Sequence, residues 1–133
     1  MEAVFGGPLP FEDHADRAIR VALDMQQRLA AFNRERERQG LSPFRQGIGM
    51  HTGEVLAGTV GSEDRLSYAL IGDTVNLASR IQGLTKEVQC DILASEETVT
   101  RLKESVRIGR RFTKHVAGRE APVTVYEILP SSP

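Results

Sequence analysis

The run Gly72-Asp73-Thr74-Val75-Asn76-Leu77-Ala78-Ser79-Arg80 sets an amide, Asn76, and a guanidinium, Arg80, four residues apart at the start of an expected helix. One helical turn separates them, so both side chains leave the same side of the axis. A guanidinium presents a fixed fork of donors, which suits a phosphate. Asp73 after Gly72 is a good N-cap, and Val75, Leu77, Ala78 and Ile81 supply the apolar residues. Asn76 and Arg80 are therefore left to meet something polar. Taken alone, the helix is more simply an amphipathic one whose Asn76 and Arg80 are solvated. The segments around it reverse that balance.

Other residues with chemical potential have plainer explanations. His51 stands between Met50 and the Thr52-Gly53 turn with no carboxylate or second histidine at ligand spacing, so packing or a turn hydrogen bond accounts for it. His14 and His115 are isolated beside charged residues, and Arg65 follows Glu63-Asp64, where a local ion pair suffices. Gly47, Gly49, Gly53, Gly58 and Gly61 match no phosphate-loop spacing and suit tight turns and close backbone packing. The alternating run Arg34-Glu35-Arg36-Glu37-Arg38 is the solvated end of a helix.

The elements that must position Asn76 and Arg80 follow from periodicity. A short strand, Ala3 to Phe5, is closed by a loop over Gly6-Gly7-Pro8-Leu9-Pro10. A long helix runs from about Asp13, its expected cap, to Arg38, with Ala15, Ala18, Ala22, Met25, Leu29 and Phe32 as one apolar stripe; Gly40 stops it. Asp16 is expected to serve that helix start in the same way as Asp13. Phe44 to Met50 and Glu54 to Val60 form two strands joined by a turn at Thr52-Gly53, and Leu66 to Ile71 forms another. After the Asp73 helix come a buried strand from Cys90 to Leu93 and a short helix opened by Ser95-Glu96-Glu97. Strands over Val106 to Phe112 and Val123 to Leu129 end the chain. Antiparallel hairpins with helices on one face make an α+β sandwich. Residues 1–129 read as one domain and 130–133 as a tail.

Composition narrows the function. A chain of 133 residues, 40% apolar and 26% charged, is ordinary for one globular domain. With 17 basic against 18 acidic residues and 5% aromatics there is neither a basic field nor a stacking platform, so nucleic acid is excluded as a partner. A single cysteine, Cys90, fits a reducing compartment, and the cytoplasm is the expected location. No apolar run approaches the roughly 20 residues that cross a bilayer, so no direct membrane insertion is expected.

Three further stretches give the Asn76 helix its context: Gly47-Ile48-Gly49-Met50-His51-Thr52-Gly53-Glu54-Val55-Leu56-Ala57-Gly58, Gly61 through Tyr68-Ala69-Leu70-Ile71-Gly72-Asp73, and Pro122-Val123-Thr124-Val125-Tyr126-Glu127. With Ala3-Val4-Phe5-Gly6-Gly7-Pro8 and Asp13-His14-Ala15-Asp16-Arg17-Ala18, the sequence resembles the class III nucleotidyl cyclases, specifically bacterial adenylate cyclase catalytic domains, over nearly its whole length and in the family's order. The resemblance implies a ferredoxin-like antiparallel sheet with helices packed on it, here lacking its first strand region. It implies a parent that converts ATP to cyclic AMP and pyrophosphate, with Asn76 orienting the ribose and Arg80 stabilising charge at the α-phosphate.

In the family, active sites form across a head-to-tail dimer in which one subunit brings two metal-binding aspartates and its partner brings the asparagine and arginine. The segments that would carry the aspartates precede the Ala3-Val4-Phe5-Gly6 match. The expectation is therefore Mg or Mn in a full-length parent, no metal site in this chain, and an isolated chain that is inactive without a homodimer mate or second cyclase half. Asp73 is a cap on this expectation rather than a substitute metal ligand.

Two positions depart from the family pattern. Ala69 stands where adenylate cyclases place Asp, Thr or Ser to read the adenine edge, which weakens base discrimination and leaves guanylate cyclase as an alternative. Ala117 replaces a phosphate-reaching lysine, with Arg119 and Lys114 nearby as possible phosphate contacts. Both departures also fit a degenerate, non-catalytic dimerisation or regulatory module.

Overall fold

Helix α1 (His14–Arg38) buries Ala15, Ile19 and Ala22 along one stripe. The computed structural model that places it describes residues 2–3, 5, 12–53, 56–60, 67–71, 73–116 and 119–130. The helix ends where expected: Gly40 takes φ +77°, and the N–H groups of Gly40 and Leu41 bond the carbonyls of Glu37 and Arg36. Three expectations for α1 are corrected. Asp13 occupies the cap position, but its carboxylate pairs with Arg17 Nε at 3.0 Å instead of capping the backbone. Asp16 caps nothing in its own helix; it is 2% exposed and accepts the backbone N–H groups of Lys103 and Glu104 at 3.0 and 2.9 Å. Phe32 does not belong to the buried stripe and instead stacks on Phe44 at the surface, with ring centroids 6.1 Å apart.

The chain continues through β1 (Ile48–Met50), β2 (Leu56–Val60), β3 (Ser67–Ile71), α2 (Asp73–Val88), β4 (Ile92–Ser95), α3 (Glu96–Thr100), β5 (Ile108–Lys114) and β6 (Val123–Ile128). Strand β1 is shorter than the predicted Phe44 to Met50 because the Asn33 amide takes both backbone groups of Phe44, at 2.7 and 2.9 Å, before a ladder can start. The Ala3 to Phe5 strand is not seen at Ala3 or Phe5, and Val4 and the following loop lie outside the described residues.

Four strands form one sheet in the order β1-β4-β6-β5, and β2 and β3 form a separate antiparallel pair. The α+β class with helices on a sheet holds, with two corrections of detail. Strands β1 and β4 run parallel, Ile48 opposite Ile92, so the sheet is mixed, and β1 and β2 lie in different sheets. The helices also cover both faces. On β4, Ile92 and Ala94 join Ile128 against Ile19 and Ala22 of α1. Leu93, pointing the opposite way, joins Val123 and Val125 against Leu77, Ile81 and Leu84 of α2. Strand β4 is buried along its whole length because it is covered on both sides, which is why it reads as a continuous apolar run.

Helix α2 lies against β1 closely enough that Gly49 has no room for a side chain. A Cβ there would stand 2.2 Å from the Gln82 backbone nitrogen and 2.8 Å from the Ala78 carbonyl oxygen. Close packing, the role expected for these glycines, is thus met at Gly49.

Candidate active-site face

Helix α2 owes its position to Leu77, Ile81 and Leu84, a seam at i, i+4, i+7 that is at most 9% exposed. Burial of each such side chain stabilises the domain by about 1.5–3 kcal/mol. Asp73, Asn76 and Arg80, at i, i+3, i+7, form an exposed strip on the flank of that seam. The seam therefore fixes the rotation of the helix, and the strip inherits its direction. The structure places the two sequence-predicted residues, Asn76 and Arg80, together on this strip, about 6 Å apart along the axis.

Arg119 stands in the connection between β5 and β6, and its Nη1 donates to the Asp73 carboxylate. Asp73 is the first residue of α2, and its carboxylate reaches across the fold to this connection. Lys114, the other nearby cation, reaches Glu87 at 3.5 Å near the far end of α2. Ala69 lies on β3 opposite Gly58. Ala117, Gly72, Gly61 and Arg65 lie outside the described residues.

Beneath the first turn of α2 is a polar cluster that the sequence did not announce. His51 Nδ1 and Ser95 Oγ are 2.8 Å apart, Thr52 Oγ1 and Thr98 Oγ1 are 2.8 Å apart, and Ser95 also caps α3 by accepting the Thr98 N–H. These bonds hold the 51–53 turn, and a Cβ on Gly53 would stand 2.7 Å from Thr74 Oγ1. His51 thus makes a hydrogen bond, as expected, but across the fold to the α3 cap. The spacing of 44 residues between His51 and Ser95 hid it.

The cluster is not a nucleophilic triad. Ser95 and Glu97 both approach the same ring nitrogen, Nδ1, and Ser95 is wholly buried and shared with Thr98. Burial pushes the His51 imidazole below its ordinary value, against the raising influence of Glu97. Burial also raises the Cys90 thiol to about 11, which marks it as an inert core residue.

The strip can orient a hydroxyl through the Asn76 amide and receive negative charge at the Arg80 guanidinium. A metal site is a different matter. Among the described residues, no three His, Cys, Asp or Glu side chains gather into a cluster that could hold a metal ion. Among the same residues, no helix is long and apolar enough to cross a membrane.

Known proteins resemble this chain in sequence and fold. The family model described as the adenylate and guanylate cyclase catalytic domain matches residues 2–129. Adenylate cyclase 1 of Rhizobium meliloti is 38% identical over 127 residues, 96% of this chain and 19% of that protein. The adenylate cyclase of Anabaena cylindrica is 42% identical over 127 residues, 89% of this chain and 25% of that protein. The chain thus spans about a quarter or less of these relatives. Among solved structures, the guanylyl cyclase Cya2 superposes with a TM-score of 0.84 at 33% identity, covering 95% of this chain and 63% of that one. The adenylyl cyclase CyaB from P. aeruginosa gives 0.78 at 28% identity, covering 96% and 66%.

Proposed function

We infer the function from the premise that this chain belongs to the adenylate and guanylate cyclase catalytic domain family: it contributes the asparagine–arginine face of a class III cyclase that converts ATP to 3′,5′-cyclic AMP and pyrophosphate. The observation that carries this is the exposed strip of Asn76 and Arg80 beside the buried seam of α2. The ribose 3′-oxygen loses its proton and bonds to the α-phosphorus, while the bond from that phosphorus to the bridging oxygen breaks and pyrophosphate departs. The Asn76 amide holds the ribose so that the 3′-oxygen is in line. The Arg80 guanidinium meets the charge that builds on the α-phosphoryl oxygens. A Mg or Mn ion held by a partner's carboxylates would neutralise the triphosphate; among the described residues of this chain no cluster of three or more such ligands gathers to hold it.

The strip opens to solvent, and on this reading a second cyclase half brings the metal-binding carboxylates, so the working unit is a dimer or a pair of complementary halves and the isolated chain is inactive. Named adenylate cyclases among the relatives support ATP as substrate. A second reading, GTP, is supported by a guanylyl cyclase among the similar structures, while Ala69 offers no polar side chain to read either base.

The deciding experiment measures cyclic AMP and cyclic GMP formed with manganese by the chain alone and by the chain mixed with a cyclase half that retains the metal carboxylates but lacks the counterpart of Arg80. Turnover of ATP only in the mixture supports the leading reading, and turnover of GTP alone transfers it to guanylate. Silence of a mixture whose halves demonstrably associate points to a regulatory module instead.

A further inference from the structure

We propose that Asp73 and Arg119 are positioning residues: their ion pair straps the β5–β6 connection to the first turn of α2 and thereby sets where Asn76 and Arg80 stand. The catalytic consequence rests on the cyclase reading; the strap does not.

The first turn of a helix is its weakest, because its leading N–H groups have no intrahelical acceptors. Here it is held from two directions. From below, Gly53 lies close enough to Thr74 to leave no room for a side chain between them, and the 51–53 turn is itself anchored by the His51–Ser95 and Thr52–Thr98 hydrogen bonds. From the side, Arg119 holds Asp73, and a carboxylate at that end also suits the positive pole of the helix. The same hairpin grips the other end. Lys114 reaches Glu87, and Arg110 Nη2 donates to the Gln89 carbonyl at 3.2 Å, just past the last turn. Three cations of one hairpin thus touch the two ends of one helix.

The alternative use of Arg119, as a contact for terminal phosphates, fits this placement less well. Its guanidinium is engaged by a carboxylate that would itself repel a phosphate. Asp73 also lies about 10 Å along the axis from Arg80, the residue that meets the reacting phosphorus. Asp73 and Arg80 bracket Asn76, so a shift of the first turn moves the ribose contact relative to the phosphate contact.

The test uses the full 133-residue chain with Asp73→Asn, Arg119→Gln, their combination, and Arg119→Lys. The amides of residues 77–80, which close helical bonds onto the carbonyls of residues 73–76, report the strap by hydrogen exchange and need no catalysis. Each single change is expected to speed their exchange about twofold to fivefold, the share of a solvent-exposed ion pair. The combined variant is expected to be no worse than either single, and Arg119→Lys to recover most of the protection. In the mixture with a carboxylate-bearing half, both single variants lower kcat by a similar factor and leave KM for the nucleotide nearly unchanged.

Two results overturn the proposal. One is unchanged exchange in both single variants, or exchange effects that simply add in the combination. The other is an Arg119→Gln variant that raises KM while Asp73→Asn lowers it, which makes Arg119 a phosphate contact. If the unaltered mixture, its halves shown to associate, forms no cyclic nucleotide, the cyclase reading fails while the exchange data still decide the strap.

Discussion

Helix α2 carries two strips that differ in what holds them. The inner one, Leu77, Ile81 and Leu84, is closed by Leu93, Val123 and Val125 of the central sheet and needs nothing beyond this chain. The outer one, Asp73, Asn76 and Arg80, is exposed, and on the cyclase reading it acts on a nucleotide whose metal ions are carried elsewhere. The inner strip is thus a statement about stability and the outer one about function, within a single 16-residue element. Substitutions in the two strips should accordingly separate stability from turnover.

The largest effect belongs to the inner strip. Ile81→Ala removes a wholly buried side chain and should cost about 2–5 kcal/mol, read as a fall in the denaturant midpoint with little change in slope. A loss below about 1 kcal/mol would mean that the seam does not carry the helix. In the outer strip, Arg80→Ala should lower kcat of the complemented enzyme a few hundredfold, about 3 kcal/mol, and weaken nucleotide binding much less. Its unfolding midpoint should move far less than that of Ile81→Ala. A parallel loss of stability would collapse the distinction.

The contact of α2 with β1 gives an intermediate case. Gly49→Ala pushes a methyl group into the α2 backbone and should cost about 1–3 kcal/mol, while the reciprocal swap Ala78→Gly should not restore it, since the clash is with main-chain atoms.

The smallest effect is a pH dependence. Burial keeps the folded-state value of His51 below its unfolded value of about 6.5. The stability tied to its neutral form is therefore complete above that pH and is lost as pH falls through 6.5 toward the lower folded value. Thermal midpoints should decline from about pH 7.5 to about pH 5, and His51→Gln should flatten the decline. Above about pH 5, Glu127 does not interfere, because Arg110 holds its carboxylate below the ordinary range. An unchanged slope in His51→Gln would remove His51 as the source.

Local features were legible in the sequence because their causes are local. The span of α1 and its stop at Gly40 follow from apolar spacing and a glycine that can take positive φ. Ser95 as the cap of α3 followed from one residue type before two glutamates. The direction of Asn76 and Arg80 followed from helical geometry once Leu77 and Ile81 were assigned inward. What failed had distant causes. The carboxylate of Asp16 serves residues 103 and 104, so its local environment in α1 suggested only a cap. Phe44 lost its strand to an amide eleven residues earlier. Strand signals also marked Phe44 to Met50 and Glu54 to Val60 as strands, but not which neighbour each would bond.

The sequence by itself determined the helices, the inward and outward faces of α2, and the pairing of an amide with a guanidinium on one flank, since these depend on spacings of three and four residues. The tertiary structure alone decided that β1 runs parallel to β4, that α1 and α2 take opposite faces of the sheet, and that Asp73 meets Arg119 while His51 meets Ser95. The strand pairing and the two side-chain contacts each join residues more than 40 positions apart, and such pairings are chosen by the packing of the whole core, which no local spacing encodes.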